Sequence, residues 1–258
     1  MQPQNVVFLC LTFGPDYYIL GLERRKEGFC LDISGLQKTT LLDYPGKVAC
    51  TVFLSGCNMR CPFCHNASLV LENPQPQMTQ EELLAFLKKR RGILDGVCVT
   101  GGEPTLRPGL PELLRQIKAL GFLVKLDTNG TNPKMLRAML DEGLIDYVAM
   151  DIKNSPERYA ATCGGAEVLE AVKESAAILM EGSAEYEFRT TCAAPFHDED
   201  AMTQIGKWLS GAKAYYLQNF VDSGHLVGTG VSGLSPDTME QLRQAVLPYI
   251  PNTRLRGL

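Results

Sequence analysis

The sequence has 258 residues, 45% hydrophobic and 21% charged, which is ordinary for a globular chain and enough to bury a barrel-sized interior. A formal net charge of −4 argues against broad binding along a nucleic-acid backbone, which needs clustered Lys and Arg. No apolar run reaches the roughly 18–20 residues that cross a bilayer. The longest is the interrupted stretch from Val6 to Phe13, so neither nucleic acid nor membrane is an expected partner.

Residues 1–30 stand apart as an N-terminal extension, with an apolar patch and the charged run Glu23–Glu27. They read either as a hairpin added over the main domain or as translated leader ahead of a start near Leu31. They lack the basic leader and small-residue cleavage site of a secretory signal. The chain carries nine cysteines, an odd number, which read as reduced thiols and metal ligands and imply a reducing, cytoplasmic setting.

Residues 31–258 read as one domain with a β/α rhythm. Short β-rich runs are expected at Val48–Leu54, Gly96–Thr100, Leu123–Asp127, Tyr147–Ile152, Tyr186–Thr191 and Ala214–Phe220. All but the last are nearly continuous in apolar or β-branched residues, as parallel strands covered on both faces should be. Between and after them, helices are expected at Thr79–Arg91, Gly109–Leu120, Pro133–Glu142, Glu167–Glu181, Asp198–Ser210 and Pro236–Leu247. Thr79 and Glu82 form a capping-box pattern, with Leu83, Leu84, Phe86 and Leu87 as the apolar stripe behind it. Right-handed crossovers turn such a repeat into an open doubly wound sheet or an incomplete (β/α)6 barrel, and periodicity does not separate the two.

The first run leads into Cys57-Asn-Met-Arg-Cys61-Pro-Phe63-Cys64, three thiols in eight residues. Pro62, Asn58 and Arg60 make this a loop that can wrap its sulfurs around one centre. Thiolates select zinc, copper(I) or iron–sulfur, and three on a four-iron cube leave one iron open for another ligand. Other readings exist. Cys61-Pro-Phe-Cys64-His65 matches a haem attachment signature but leaves Cys57 without a purpose. Structural zinc would recruit a fourth cysteine such as Cys50 or Cys98, and a Cys-x-x-Cys redox pair is also compatible. Cys10, Cys30, Cys163 and Cys192 read as inert thiols.

In a barrel, functional groups sit just past the strand ends. The second run ends in Gly101-Gly102-Glu103-Pro104, where paired glycines allow close backbone approach and Glu103 offers a carboxylate to a cation. The same residues also make an ordinary turn. The next ends are Asp127-Thr128-Asn129-Gly130 and Met150-Asp151-Ile152-Lys153. Asp151 and Lys153 share a face by the two-residue period, so a plain ion pair is open there. Arg189 and Gln218-Asn219 follow, and His65, His197 and His225 read as satisfied loop histidines.

The Cys-x3-Cys-x2-Cys spacing with Phe63 before the third cysteine, followed by Gly101-Gly102-Glu103-Pro104, resembles the radical S-adenosylmethionine (SAM) superfamily. The segment Ile33-Ser-Gly-Leu-Gln-Lys-Thr-Thr-Leu-Leu-Asp43-Tyr44-Pro45-Gly46 resembles the opening of activating proteins for anaerobic ribonucleoside-triphosphate reductases, a group of glycyl-radical-enzyme activases. The resemblance implies an incomplete barrel. It implies that Cys57, Cys61 and Cys64 hold a [4Fe–4S] cluster whose fourth iron binds SAM, which is cleaved reductively to an adenosyl radical. It further implies cofactor contacts at Phe63, Gly101, Gly102, Glu103, Pro104, Asp127, Asn129 and Arg189, with the Glu103 loop holding the SAM ammonium.

Asp151 and Lys153 would lie nearest the chemistry, with a monovalent cation beside Asp127 and Asp151. The implied partners are a glycyl-radical enzyme, in particular anaerobic ribonucleotide reductase, and a low-potential donor such as flavodoxin or ferredoxin. The alternatives are another glycyl-radical enzyme such as pyruvate formate-lyase, or a small metabolite as substrate. The eight-cysteine insert of some activases is missing from this sequence.

Overall fold

The computed structural model describes residues 31–72, 74–222 and 224–257. The expected extension over residues 1–30, with Val6–Phe13, Glu23–Glu27, Cys10 and Cys30, lies outside them.

One eight-stranded sheet runs in chain order. Strand β1 (Gly35–Thr40) pairs antiparallel with β2 (Ala49–Leu54). Then β3 (Gly96–Gly101), β4 (Leu123–Thr128), β5 (Tyr147–Asp151), β6 (Glu185–Cys192), β7 (Tyr215–Asn219) and β8 (Thr253–Arg256) each pair parallel with the strand before. A doubly wound sheet reverses its order at a switch point. This sheet never does, and β1 and β8 form its two edges, so it is an incomplete barrel.

The helices are α1 (Ala67–Leu71), α2 (Gln80–Lys89), α3 (Leu110–Ala119), α4 (Pro133–Asp141), α5 (Tyr159–Thr162), α6 (Leu169–Glu181), α7 (Glu199–Trp208) and α8 (Pro236–Val246). The capping box on α2 forms as expected, with Thr79 N donating to Glu82 at 2.8 Å and Glu82 N donating to Thr79 at 3.2 Å. Leu83 and Leu87 are buried beneath it. Asn132, Asp198 and Ser235 cap α4, α7 and α8 in the same way, each accepting from a backbone N–H three residues on.

The six expected strands are present, and two more join them. Asp43-Tyr44-Pro45-Gly46 is the expected turn, held by Thr40 Oγ1, which accepts from Leu42 N and Asp43 N, both at 3.2 Å. It folds β1 back onto β2. The other addition, β8, makes a seventh parallel strand, so the expected (β/α)6 count falls one strand short. Thr253-Arg-Leu-Arg256 has one apolar residue in four and carries no strand signal of its own. The open edge of β7 supplies its partners, and the buried Glu187 of β6 receives Arg256 through two bonds of 2.8 Å. Among the described residues no helix is long and apolar enough to cross a membrane, and every cysteine is free.

Candidate functional site

The strands bury apolar residues outward against the helices, while their alternate residues put charge inside the barrel. Lys125 and Asp127 on β4, Asp151 on β5 and Arg189 on β6 belong to one ionic network. Arg189 donates from Nε to Asp151 at 3.0 Å and from a terminal nitrogen to Asp127 at 3.2 Å. Lys125, fully buried, pairs with Asp127, and Lys153 Nζ lies 3.0 Å from Asp151. Burial raises the Asp151 carboxyl, but Arg189 and Lys153 outweigh it and bring it down to about 2. Asp127 is lowered by Arg189 and Lys125 against the same burial. The ion pair expected for Asp151 and Lys153 is therefore present. The Arg189 guanidinium bonds both the Asp127 and the Asp151 carboxylates.

These charges form one wall of a cavity of about 840 Å³, counting the space open at its mouth, and the cysteine loop forms the other. Cys57, Cys61 and Cys64 line it together with Phe63, Gly101 and Gly102. Asp127, Asn129, Asp151, Lys153 and Arg189 of the expected set line it as well. Residues from four strand ends and one loop, separated by up to 132 positions in sequence (189 − 57), thus meet at one place.

The cysteine loop is held by backbone contacts that only glycine permits. Gly102 N donates to Leu54 O and Glu103 N to Gly56 O, both at 2.8 Å. A Cβ on Gly101 would strike the Leu54 backbone, and one on Gly102 the Gly56 carbonyl. Arg107 clamps Ser55 O from Nε at 3.0 Å, and Asn66 Nδ2 reaches Gly101 O at 2.8 Å. Phe63 is buried edge-on against Phe196 and His197, with centroids 5.6 and 5.9 Å away. His197 accepts from Ala193 N at 3.1 Å through Nδ1 and lies 2.9 Å from Lys153 O through Nε2, so it is a satisfied loop histidine as expected.

Two residues of the expected set are not among those that line the cavity. Glu103 and Pro104 are buried behind the cavity and do not line it. The Glu103 side chain is fully enclosed. It accepts from Thr105 N at 3.0 Å, Thr128 Oγ1 at 2.7 Å and Asn129 N at 2.6 Å, so its side chain is engaged by protein donors. Cys163, read as inert, interacts with Cys61 and lowers its thiol against burial, whereas burial pushes Cys57 and Cys64 up. His65 also lines the cavity, stacked on Phe220 at 5.1 Å.

The donor set fits a thiolate-bound cluster. Cys50 and Cys98, the expected fourth ligands for zinc, do not line the cavity. Cys98 is instead engaged with Lys125 and Asp127 at 3.8 and 3.7 Å. Among the described residues no three His, Cys, Asp or Glu side chains gather tightly enough for a single ion. The four-ligand shell of structural zinc is not prepared here. Three soft thiols spread around a cavity suit a larger polynuclear group with one position left open.

An incomplete parallel barrel with three loop cysteines at its mouth defines a class, and comparison with known proteins gives the same class. The chain belongs to the radical SAM superfamily, whose family model matches residues 51–191. It is therefore an enzyme of a family that works with a [4Fe–4S] cluster and SAM. It is 35% identical over 196 residues to a Methanocaldococcus jannaschii protein named as a candidate glycyl-radical enzyme activating enzyme, covering 73% of this chain and 79% of that one. It is 32% identical over 127 residues to the pyruvate formate-lyase-activating enzyme of Clostridium pasteurianum, covering 47% and 52%. It is also 32% identical over 130 residues to a 7-carboxy-7-deazaguanine synthase of Methanopyrus kandleri, covering 43% and 51%. The chain thus spans about half the length of these last two relatives. Streptococcus suis SuiB bound to S-adenosylmethionine shares the fold, with a TM-score of 0.63 at 14% identity over 78% of this chain and 48% of that one.

Proposed function

We propose that this chain is a glycyl-radical-enzyme activase, with anaerobic ribonucleoside-triphosphate reductase as its partner. The observation that carries the reading is the 35% identity across most of both chains to a protein named for that activity. The segment from Ile33 to Gly46, which forms β1 and its turn, supports the choice of partner.

In this reading Cys57, Cys61 and Cys64 are the cluster ligands. A [4Fe–4S] cluster held by these three cysteines would supply the electron for reductive cleavage of SAM. The chain's own residues bind and orient. Lys153, whose Nζ shares Asp151 with Arg189, presents a cation to the SAM carboxylate or the substrate, and Arg189 and Asp127 fix its surroundings. The backbone at Gly101 and Gly102 lets SAM lie close to the cysteine loop. Phe63, packed on Phe196, excludes water from beside Cys64. The free cysteines support a reducing, cytoplasmic setting. A low-potential donor such as flavodoxin or ferredoxin supplies the electron.

The test mixes the reconstituted protein anaerobically with SAM, a low-potential reductant and the reductase of the source cell. A glycyl-radical doublet in the electron paramagnetic resonance spectrum, with one 5′-deoxyadenosine per radical, is the expected result. The match to a 7-carboxy-7-deazaguanine synthase favours a second reading, a small metabolite as substrate. A silent spectrum with every glycyl-radical enzyme of that cell, while a metabolite stimulates 5′-deoxyadenosine release, would replace the first reading with the second.

A further inference from the structure

Glu103 is enclosed by protein donors, and what it holds leads directly to a cysteine. Its Oε2 accepts the backbone N–H of Asn129 at 2.6 Å, while its Oε1 is fixed by Thr105 and Thr128. Asn129 is itself buried. Its side-chain orientation follows from its neighbours: Oδ1 accepts from Thr131 N at 3.0 Å and from Thr131 Oγ1 at 2.7 Å. A backbone N–H only donates, so the amide oxygen must face Thr131 and the NH2 must face away. On that other side Nδ2 meets Asn58 Oδ1 at 3.0 Å and Cys57 Sγ at 3.8 Å, within reach of an N–H···S hydrogen bond. Asn58 Nδ2 closes the ring by donating to Thr131 Oγ1 at 3.0 Å. Cys57 Sγ also accepts from Met59 N at 3.4 Å, so two N–H groups converge on one thiol.

We propose that Asn129 sets the reduction potential of the cluster by hydrogen-bonding the Cys57 sulfur, and that Glu103 is the positioning residue that holds Asn129 in place. The proposal rests on the reading above in which Cys57 is a cluster ligand. A thiolate bound to iron is a stronger acceptor than the free thiol, and an N–H aimed at it draws electron density from the sulfur. That stabilises the reduced, more negative cluster and raises its potential. The contacts on Glu103 and Thr131 carry no charge toward the cavity. Their consequence is to fix the direction of one amide, which is how a group in a metal's outer shell acts.

The experiment uses the reconstituted full chain and measures iron content and midpoint potential without SAM. Asn129→Asp keeps an acceptor for Thr131 and loses the donor; Asn129→Ala loses both. Each is expected to keep the cluster and make the one-electron reduction equilibrium about tenfold less favourable, about 59 mV lower. Glu103→Gln is expected to move the potential the same way by a smaller amount, and to add nothing in the Asn129→Ala background. A purely structural Glu103 would lower iron content without moving the potential of the clusters that remain. An intact cluster at wild-type potential in both Asn129 variants overturns the proposal, and an additive Glu103→Gln shift overturns its positioning half. Should the variants lose the cluster, wild-type protein with 15N-labelled asparagine side chains keeps the question open to measurement. A weak 15N coupling to the reduced cluster in electron–nuclear double resonance is then expected, and its absence refutes the contact. A wild-type chain that takes up no four-iron cluster, or keeps it in Cys57→Ser, fails the parent reading instead.

Discussion

Arg189 Nε donates to Asp151 at 3.0 Å, which ties the middle of β6 to the end of β5 inside the barrel. The same guanidinium reaches Asp127 on β4, so one side chain neutralises two partly buried carboxylates. Replacing Arg189 with Met leaves Asp127 with Lys125 alone and Asp151 with Lys153 alone, and losing one partner of a buried ionic network costs up to about 3–5 kcal/mol. Urea unfolding of the cluster-free protein should show a loss of that size. Arg189→Lys should recover part of it, because an ammonium keeps the charge but not the planar fork. A loss under about 1 kcal/mol, the value of an exposed pair, would mean that solvent screens the network.

The pH dependence follows from Asp151, whose carboxyl stands at about 2 in the fold against an ordinary 3.8. A lowered folded value contributes stability that is present above the unfolded value and is lost as pH falls through the folded one. About two units correspond to roughly 2–3 kcal/mol. Asp151→Asn should therefore destabilise the protein most near neutral pH, and its deficit should shrink as pH falls from about 4 to 2. A deficit independent of pH over that range would assign the effect to packing.

Gly102→Ala places a methyl group on the Gly56 carbonyl, the atom that accepts from Glu103 N. The cysteine loop must then move off the end of β3. Reconstituted Gly102→Ala is expected to hold several-fold less iron than wild type. Gly35→Ala, where the Cβ would meet Phe53 at 3.4 Å, serves as the control with iron content near wild type. Equal iron in both would show that the loop tolerates the displacement.

Serine at Cys57, Cys61 or Cys64 should each abolish the visible absorption of the cluster, while Cys192→Ser, buried away from the cavity, should not. Cys163→Ala is the informative variant, since Cys163 accepts from Arg60 N at 3.0 Å through its backbone carbonyl and so packs against the cysteine loop without lining the cavity. The expected outcome is a retained cluster with an altered spectrum. Complete loss would make Cys163 a ligand and the three-cysteine assignment wrong.

The cysteine spacing, the glycine pair behind β3 and the β/α rhythm are local patterns, and each could be read along the chain. Spacing within eight residues fixes how three sulfurs converge, and a two-residue period fixes which strand residues share a face. The sense of winding was not readable, because both an open sheet and a barrel repeat the same unit. Only strand order distinguishes them. Strand β8 was invisible for a related reason: Thr253–Arg256 has no apolar run, and its conformation depends on the free edge of β7 and on Glu187. Glu103 shows the limit most clearly. A carboxylate in a glycine-rich turn carries the chemistry of a cation ligand in any sequence. Whether that carboxylate faces a cavity or a neighbouring strand depends on Thr128 and Asn129, 25 and 26 residues away, and only packing brings those donors to it.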